Sequence, residues 1–155
     1  TGIHVLEPRV FDYIPRGVYS DIFPTFYNPA LRAGEKIAVH VTDANWFELS
    51  TIPRYLDVSL EMMNGQSVLA GNNCIVSGRA IVKDSIMWDN VSIGDDAHLY
   101  RCIIADDVTI LPGEHFENAA IVRADMVRTA EEVPEKALKG YIQGDNYVVP
   151  LIEYI

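Results

Sequence analysis

The sequence predicts a short α/β segment followed by a solenoid of very short parallel strands. Between residues 36 and 63 the apolar positions first alternate and then recur about every fourth residue, the spacings of a strand and of a helix. From Leu69 to Leu99 an apolar residue returns at every sixth position. A longer repeat is superimposed, because related tripeptides follow one another at intervals of 17 and then 18 residues.

The first segment contains signals for several short elements. The sequence predicts strands at 1–6, 36–41 and 46–49, a short helix at 8–14, a helix that Ser20-Asp21 begins and Gly34 ends, and a helix from Ile52 to Met63 capped by Thr51. Asn28-Pro29 is expected to kink or restart the second helix. A unit of about 65 residues is small for an independent α/β domain, so we expect it to be the edge of a larger one.

The second segment is predicted to wind as three short strands per coil. The six-residue series places Leu69, Ile75, Ile81, Met87, Ile93 and Leu99 toward the interior. The tripeptides Ser85–Met87, Cys102–Ile104 and Ala120–Val122 mark successive coils. Gly, Asn and Asp are expected at the corners, because these residues tolerate a positive φ. Stacked coils then bury one continuous apolar column.

The end of the chain gives weaker signals. Residues 133–138 are consistent with a short helix that ends at Gly140, and Tyr147–Ile152 is predicted to be extended. This extended segment either caps the last coil or packs against a partner. The resulting division is an α/β segment at 1–65, the repeat at 66–127, and a tail of helix and extended chain at 128–155.

Composition excludes several functions. A net charge of −10 argues against nucleic acid and against an anionic membrane surface, because both attract basic proteins. No apolar run approaches the roughly 20 residues of a membrane-spanning helix. Cys74 and Cys102 are too few for a disulfide framework and are expected to be reduced, inward-facing thiols. We therefore expect a cytoplasmic protein with no nucleic-acid or membrane partner.

The repeat from Leu69 to Asp125 resembles the left-handed parallel β-helix of the hexapeptide-repeat proteins. Residues 1–63 are similar to the C-terminal edge of the Rossmann-like sugar-1-phosphate nucleotidyltransferase domain, in particular that of mannose-1-phosphate guanylyltransferases and related nucleotide-sugar pyrophosphorylases. Three pieces carry this likeness: Thr1-Gly2-Ile3, Ser20-Asp21-Ile22, and Trp46-Phe47-Glu48-Leu49-Ser50-Thr51 leading into Tyr55-Leu56. The family's tail has a Trp-x-Asp-Ile-Gly-Thr-like segment, then a helix, then often a β-helix, and the order here is the same.

The resemblance implies part of an enzyme that joins a nucleoside triphosphate to a sugar 1-phosphate and releases pyrophosphate. Glu48 falls on a position that binds Mg²⁺ in this family, although Glu replaces the commoner Asp and Ser50 replaces Gly. Thr1 and Gly2 match the strand that lines the sugar-phosphate pocket, and Trp46 is a candidate wall of the same pocket. The β-helix is then expected to serve assembly as a homo-oligomer, or regulation.

The family's Gly-rich phosphate loop, a first metal-binding Asp and a sugar-phosphate Lys have no counterpart in this sequence. The expected partner is therefore an N-terminal nucleotide-binding half, and the chain alone is expected neither to catalyse the transfer nor to bind Mg²⁺ tightly. Two alternatives remain open. One is a stand-alone oligomerisation or regulatory module; the other is a hexapeptide acyltransferase with His98 or His115 as general base.

Overall fold

A computed structural model describes residues 3–128 and 139–151. The chain divides into two compact units, Thr1–Trp46 and Phe47–Ile155. In the first unit a 3₁₀ turn spans Pro8–Asp12, and a π-helical turn at Phe23–Tyr27 continues into α1 (Asn28–Arg32). Val10, Phe26 and Ala30 form its buried centre.

The helical signals of the first unit are confirmed. Asp21 accepts a hydrogen bond from the Phe23 N–H at 2.8 Å, and Gly34 ends α1 with a φ of 75°. The restart expected at Asn28-Pro29 is the change from π-helical to α-helical winding. These local signals succeed because capping and proline act on the backbone nearby.

The predicted strands of the α/β segment are not observed. Between residues 3 and 67 the chain contains no strand, and 36–41 and 46–49 have no ladder partner among the described residues. An alternating pattern specifies which face of a strand is buried, but a ladder also needs a neighbour that supplies backbone hydrogen bonds. Among residues 3–46 no such neighbour is found, and Val39 and Val41 are exposed.

The second unit is a parallel β-solenoid, consistent with the predicted left-handed β-helix. Its strands are β1 (Val68–Ala70), β2 (Ile75–Val76), β3 (Ile81–Lys83), β4 (Ser85–Met87), β5 (Ser92–Ile93), β6 (His98–Ile104), β7 (Thr109–Ile110) and β8 (His115–Arg123). One face stacks β1, β4 and the ends of β6 and β8; a second stacks β2, β5 and β7; the third stacks β3 and the starts of β6 and β8.

Each coil contains 17 residues rather than a multiple of six. Asn73, Asn90 and Asp107 hydrogen-bond to one another at that interval. Cys102 pairs with Ala119 and Ile104 with Ile121, so the third copy of the tripeptide is Ala119–Ile121 and the 18-residue interval was wrong. A coil is thus two steps of six and one of five.

The five-residue step changes which residues of the six-residue series face inward. Met87, Ile93 and Leu99 are buried as predicted, but Leu69, Ile75 and Ile81 point outward and are exposed. In the first coil the inward positions are instead taken by Val68, Cys74, Ala80 and Val82, which pack against the core. Up to Ile81 the residues of the six-residue series lie on the outer surface, and from Met87 onward they lie in the core.

The coil corners confirm the prediction of positive φ. One corner is the ladder of Asn73, Asn90 and Asp107, with φ values of 54°, 59° and 60°. Asn90 accepts from the Asn73 amide at 3.1 Å and donates to Asp107 at 2.9 Å, so the side chains that tolerate the bend also join the coils. Arg101, with a φ of 52°, occupies another corner that the sequence did not reveal.

The last coil is closed by a hairpin from the C-terminal tail. β9 (Tyr141–Gln143) and β10 (Asn146–Pro150) pair antiparallel, and β10 pairs antiparallel with β8. Val148 enters the core, so the extended segment caps the last coil. A short α3 (Ala124–Arg128) follows β8, and the helix predicted at 133–138 lies outside the described residues.

Helix α2 (Ile52–Met62) covers the outer surface of the first face. Thr51 caps it by accepting from the Arg54 N–H at 3.2 Å, as predicted, and Asn64 and Gly65 end it with positive φ. Its Leu56 packs among Ile86, Ile103, Ala120 and Val149. Across residues 3–128 and 139–151, none of the helices is long and apolar enough to cross a membrane.

Replacing Ile93 should destabilise the second unit far more than replacing Ile75, although both belong to the six-residue series. Ile93 is 2% exposed and Ile75 is 68% exposed. We expect Ile93→Ala to lower the free energy of unfolding by about 2–4 kcal/mol, because it leaves a cavity, and Ile75→Ala by less than about 0.5 kcal/mol. Urea denaturation followed by circular dichroism measures both; equal losses would contradict the register.

Cys102 should be inert in the folded protein. It is buried and free, and this desolvation raises the pKa of its thiol to about 11. The folded state therefore disfavours the thiolate, which is the reactive form. At pH 8 an aromatic disulfide reagent should label Cys102 only after unfolding.

Two variants separate this labelling from that of Cys74, which is half-buried. Folded Cys74→Ser should show no reactive thiol, and Cys102→Ser should retain the reactivity of Cys74. Since the raised pKa favours the protonated thiol, its contribution to stability is complete below pH 9 and is lost as pH rises toward 11. Rapid labelling of folded Cys74→Ser at pH 8 would contradict this burial.

Candidate functional site

The structure describes two of the four predicted site residues, one in each unit. Thr1 and Gly2 lie outside the described residues. Trp46, at the end of the first unit, is 49% exposed, and Glu48, near the start of the second, is exposed. Over the described ranges no three His, Cys, Asp or Glu side chains are grouped as a metal site requires. The metal role of Glu48 and the pocket role of Trp46 stay predictions.

The residues that follow Glu48 are fixed to the β-helix. Thr51 caps α2, and the burial of Leu56 under that helix anchors it to the first face of the solenoid. The Phe47–Thr51 segment therefore enters a helix whose position the coils determine. The part of the sequence that resembles a nucleotidyltransferase tail belongs, from Phe47 onward, to the same compact unit as the hexapeptide coils.

An ion pair also joins α2 to the coils. Arg101 Nη2 lies 2.6 Å from Asp57 Oδ1, and Arg101 Nε donates to Asn118 Oδ1 at 3.1 Å. Both charged side chains are about one-third exposed, at 34% and 36%. The left-handed backbone of Arg101 turns this side chain outward from a coil corner toward the helix. One residue thus connects two coils and α2.

A groove of about 620 Å³ lies between the start of α2 and the solenoid. Leu49, Ser50, Thr51, Ile52 and Tyr55 line it on the helix side, and Trp88, Ile103, Ala105, Asp106, Asp107, Ala120, Ile121, Val122, Arg123 and Met126 on the other. Most of these side chains are apolar. The volume falls in the range of small-molecule and peptide pockets, and the apolar lining with a few polar groups is typical of a binding site.

A smaller and more polar pocket of about 320 Å³ shares two of these lining residues, Asp107 and Arg123. Arg123 Nη1 lies 3.6 Å from Asp107 Oδ2, and its Nε lies 3.3 Å from Asp125 Oδ1. Glu114 and Asp145 also line this pocket. An apolar cavity thus lies next to an acidic one.

His98 and His115 face each other on the third side of the solenoid. They are paired in register, and their rings stack with centroids 4.5 Å apart and an interplanar angle of 7°. Both side chains are exposed. Neither ring makes a hydrogen bond to a carboxylate among the described residues, so nothing in this part of the chain orients one of them as a general base.

Sequence reasoning did not find the groove, because its residues come from four separate segments. One signal was available. Trp88 occupies a position beside a coil corner where the next coils have Ala105 and Val122, so a large aromatic side chain stands among smaller ones on the outer surface. A bulky residue at an outward position of a solenoid indicates a contact rather than core packing.

Comparison with known proteins agrees with the fold of the second unit. Residues 60–133 match the family model described as GlmU-like, C-terminal hexapeptide. No curated protein matches the chain. The matched segment covers all of the coils and extends beyond them on both sides. Together with the stacked strands, this match shows that the second unit contains a hexapeptide-repeat β-helix.

Removing the charge of Asp57 should loosen α2. We expect Asp57→Asn to lower the free energy of unfolding of the second unit by about 0.5–1 kcal/mol, the usual range for a pair that solvent partly screens. Glu61→Gln removes an exposed charge from the same helix and should change stability by less than about 0.5 kcal/mol. Fluorescence of Trp88 in a Trp46→Phe background reports the transition. Equal effects of the two variants would show that the ion pair does not hold the helix.

Proposed function

We propose that this chain is the C-terminal portion of a nucleotide-sugar pyrophosphorylase, with a reaction like that of mannose-1-phosphate guanylyltransferases. The proposal rests on the order of three segments along the chain and on how they pack together. The segment from Trp46 to Thr51, which resembles the family's tail, leads into capped helix α2, and α2 packs on a hexapeptide-repeat β-helix. The family model supports the β-helix alone; the pyrophosphorylase activity rests on the resemblance.

In this proposal Glu48 would supply one carboxylate ligand of a Mg²⁺ ion, since Mg²⁺ prefers oxygen ligands, and the bound ion would supply positive charge at the phosphates. Glu48 is exposed and makes no ion pair with other described residues, so its carboxylate is available. Thr1, Gly2 and Trp46 are the proposed residues of the sugar-phosphate pocket.

A nucleotide-binding half is the proposed partner of this chain. Among the described residues we find no Gly-rich loop at a helix N-terminus that would cradle a triphosphate. The segments at 36–41 and 46–49 support the proposal, because both are predicted strands and neither has a ladder partner among the described residues. The β-helix is proposed to assemble copies of the enzyme, since solenoid faces readily pair with their own copies.

The decisive experiment compares the chain with the complete product of its gene. Each is supplied with Mg²⁺, a nucleoside triphosphate (GTP, UTP or ATP) and mannose 1-phosphate or glucose 1-phosphate, and pyrophosphate release is measured. We expect turnover by the complete product and none by this chain alone. Glu48→Ala in the complete product should lower the rate by on the order of a hundredfold, because a metal ligand is lost.

Glu61→Gln, on the far part of α2, serves as the control and should keep the full rate. Turnover by the chain alone, or an undiminished rate in Glu48→Ala, would contradict the proposal.

A second candidate function is that of a hexapeptide acyltransferase, which would use one of the stacked residues His98 and His115 as its base. That reading requires coenzyme A binding and loss of acyl transfer in His98→Ala or His115→Ala; a pure assembly module would bind neither nucleotide nor coenzyme A.

A further inference from the structure

The groove beside α2 and the acidic pocket next to it adjoin each other in the second unit. They share Asp107 and Arg123, whose side chains stand between the apolar cavity and the polar one. A ligand that occupied both would need an apolar part and a polar part in sequence.

The apolar part exists because α2 covers only some of the outer surface of the first face. Leu56 packs with Ile86, Ile103 and Ala120 beneath the helix, and Ile103 and Ala120 also reach the groove, where Ala105 and Val122 continue the lining. Four large apolar side chains around it are substantially exposed, with values of 41–59%: Leu49, Ile52, Trp88 and Met126. Grouped exposure of this kind marks an interaction site, whereas single exposed apolar residues are ordinary.

The polar part has a strong charge imbalance. Of the described residues that line the smaller pocket, three carboxylates, those of Asp107, Glu114 and Asp145, accompany one cation, Arg123; Asp125 also lines the pocket and has partners of its own. Asp106 adds a carboxylate on the rim of the groove, where its Oδ1 accepts from the Asp89 N–H at 2.8 Å. One guanidinium cannot neutralise this set, so the pocket attracts a cation and repels phosphate.

We propose that this feature binds a peptide segment of a partner protein in which apolar side chains are followed by lysine or arginine. The apolar side chains lie against Trp88 and the floor of the groove, and the basic group reaches the carboxylates around Asp107. The indole of Trp88 also offers its face to a cation on the way. The inference does not depend on the proposed enzymatic activity, because no residue of the transfer reaction takes part.

Charge favours this occupant over the two obvious alternatives. Two copies that met through this pocket would bring like carboxylates together, which opposes docking of the pocket on itself; the proposed assembly of copies would use other surfaces of the β-helix. A nucleotide or sugar phosphate would bring its negative charge to the carboxylates and find one partly paired arginine. A basic and apolar segment is complementary to both parts.

Selection from a displayed library of random peptides on the immobilised chain tests the proposal. We expect the enriched peptides to carry apolar residues next to lysine or arginine. A fluorescein-labelled synthetic copy of an enriched peptide then gives the Kd by anisotropy. Raising the salt from about 0.05 to 0.5 M should weaken binding several-fold, since the Debye length shortens from roughly 14 to 4 Å.

Three variants locate the site. Trp88→Ala should weaken binding by on the order of thirtyfold, as for an aromatic hot spot, and Leu49→Ser, at an exposed position, provides an apolar test that leaves the core intact. Asp106→Asn keeps the hydrogen bond from Asp89 and should weaken binding up to about fivefold. Glu61→Gln is the matched charge control on α2 and should bind as the unaltered chain does, with circular dichroism confirming that every variant is folded.

Several outcomes would overturn the proposal. No enrichment, or enrichment of acidic peptides, would show that the feature does not select an apolar basic segment. Binding that survives both Trp88→Ala and Leu49→Ser would place it elsewhere. In a Trp46→Phe background, a Trp88 already shielded from acrylamide would mean that the groove is filled in the free protein, and shielding that appears with rising protein concentration would identify a second copy as the occupant.

Discussion

The fold of the second unit depends on the register of its coils, in which each residue stacks on the one 17 positions earlier. The division of each coil into steps of six, six and five residues determines which side chains face inward and which stand at the corners. Inward residues meet in one column only if every coil has the same length, and corner side chains bond between coils only if corners coincide. Asn90 illustrates the second requirement, because it adopts a positive φ at a corner and hydrogen-bonds to the coils on both sides. A change in length of one coil would break the core and the ladder together.

Because of the same register, the three faces of the solenoid carry different kinds of outward side chain. On the first face the outward positions are apolar, at Leu69, Ile86, Ile103 and Ala120, so this face needs a cover. Helix α2 covers part of this face, and the ion pair between Asp57 of the helix and Arg101 at a coil corner attaches it to the coils. On the third face the outward pair His98 and His115 is polar and remains exposed. A helix docks on the first face because burying its aliphatic row removes apolar area from water.

The sequence could predict what depends on nearby residues and failed where long-range geometry decides. The cap at Thr51, the helix that follows it, the hexad repeat and the Asn and Asp corners were predicted, since each is encoded within a few positions, whereas the corner at Arg101 was not. The five-residue step was not visible, because Leu69, Ile75 and Ile81 are as apolar as the inward residues. The strand at 36–41 was inferred from alternation, and alternation does not provide a ladder partner; the strand predicted at 46–49 has none either among the described residues. The groove was missed because Leu49, Trp88 and Met126 are far apart in sequence and meet only when α2 docks.

The two ends of the solenoid differ, and the difference bears on the candidate site. At the last coil β10 runs antiparallel to β8, places Val148 in the core and is followed by Leu151, whose N–H bonds to the Asn118 carbonyl at 2.6 Å. At the first coil the inward Val76 remains 42% exposed, whereas Ile93 and Ile110, which stack in register with it, are buried.

Helix α2 packs its Leu56 among Ile86, Ile103, Ala120 and Val149, which belong to successive coils and to the closing strand. The segment that carries Glu48 therefore leads into a helix that several coils hold in place. If Glu48 binds a metal ion as we propose, the hexapeptide coils would help to fix the position of this ligand by holding the helix that follows it.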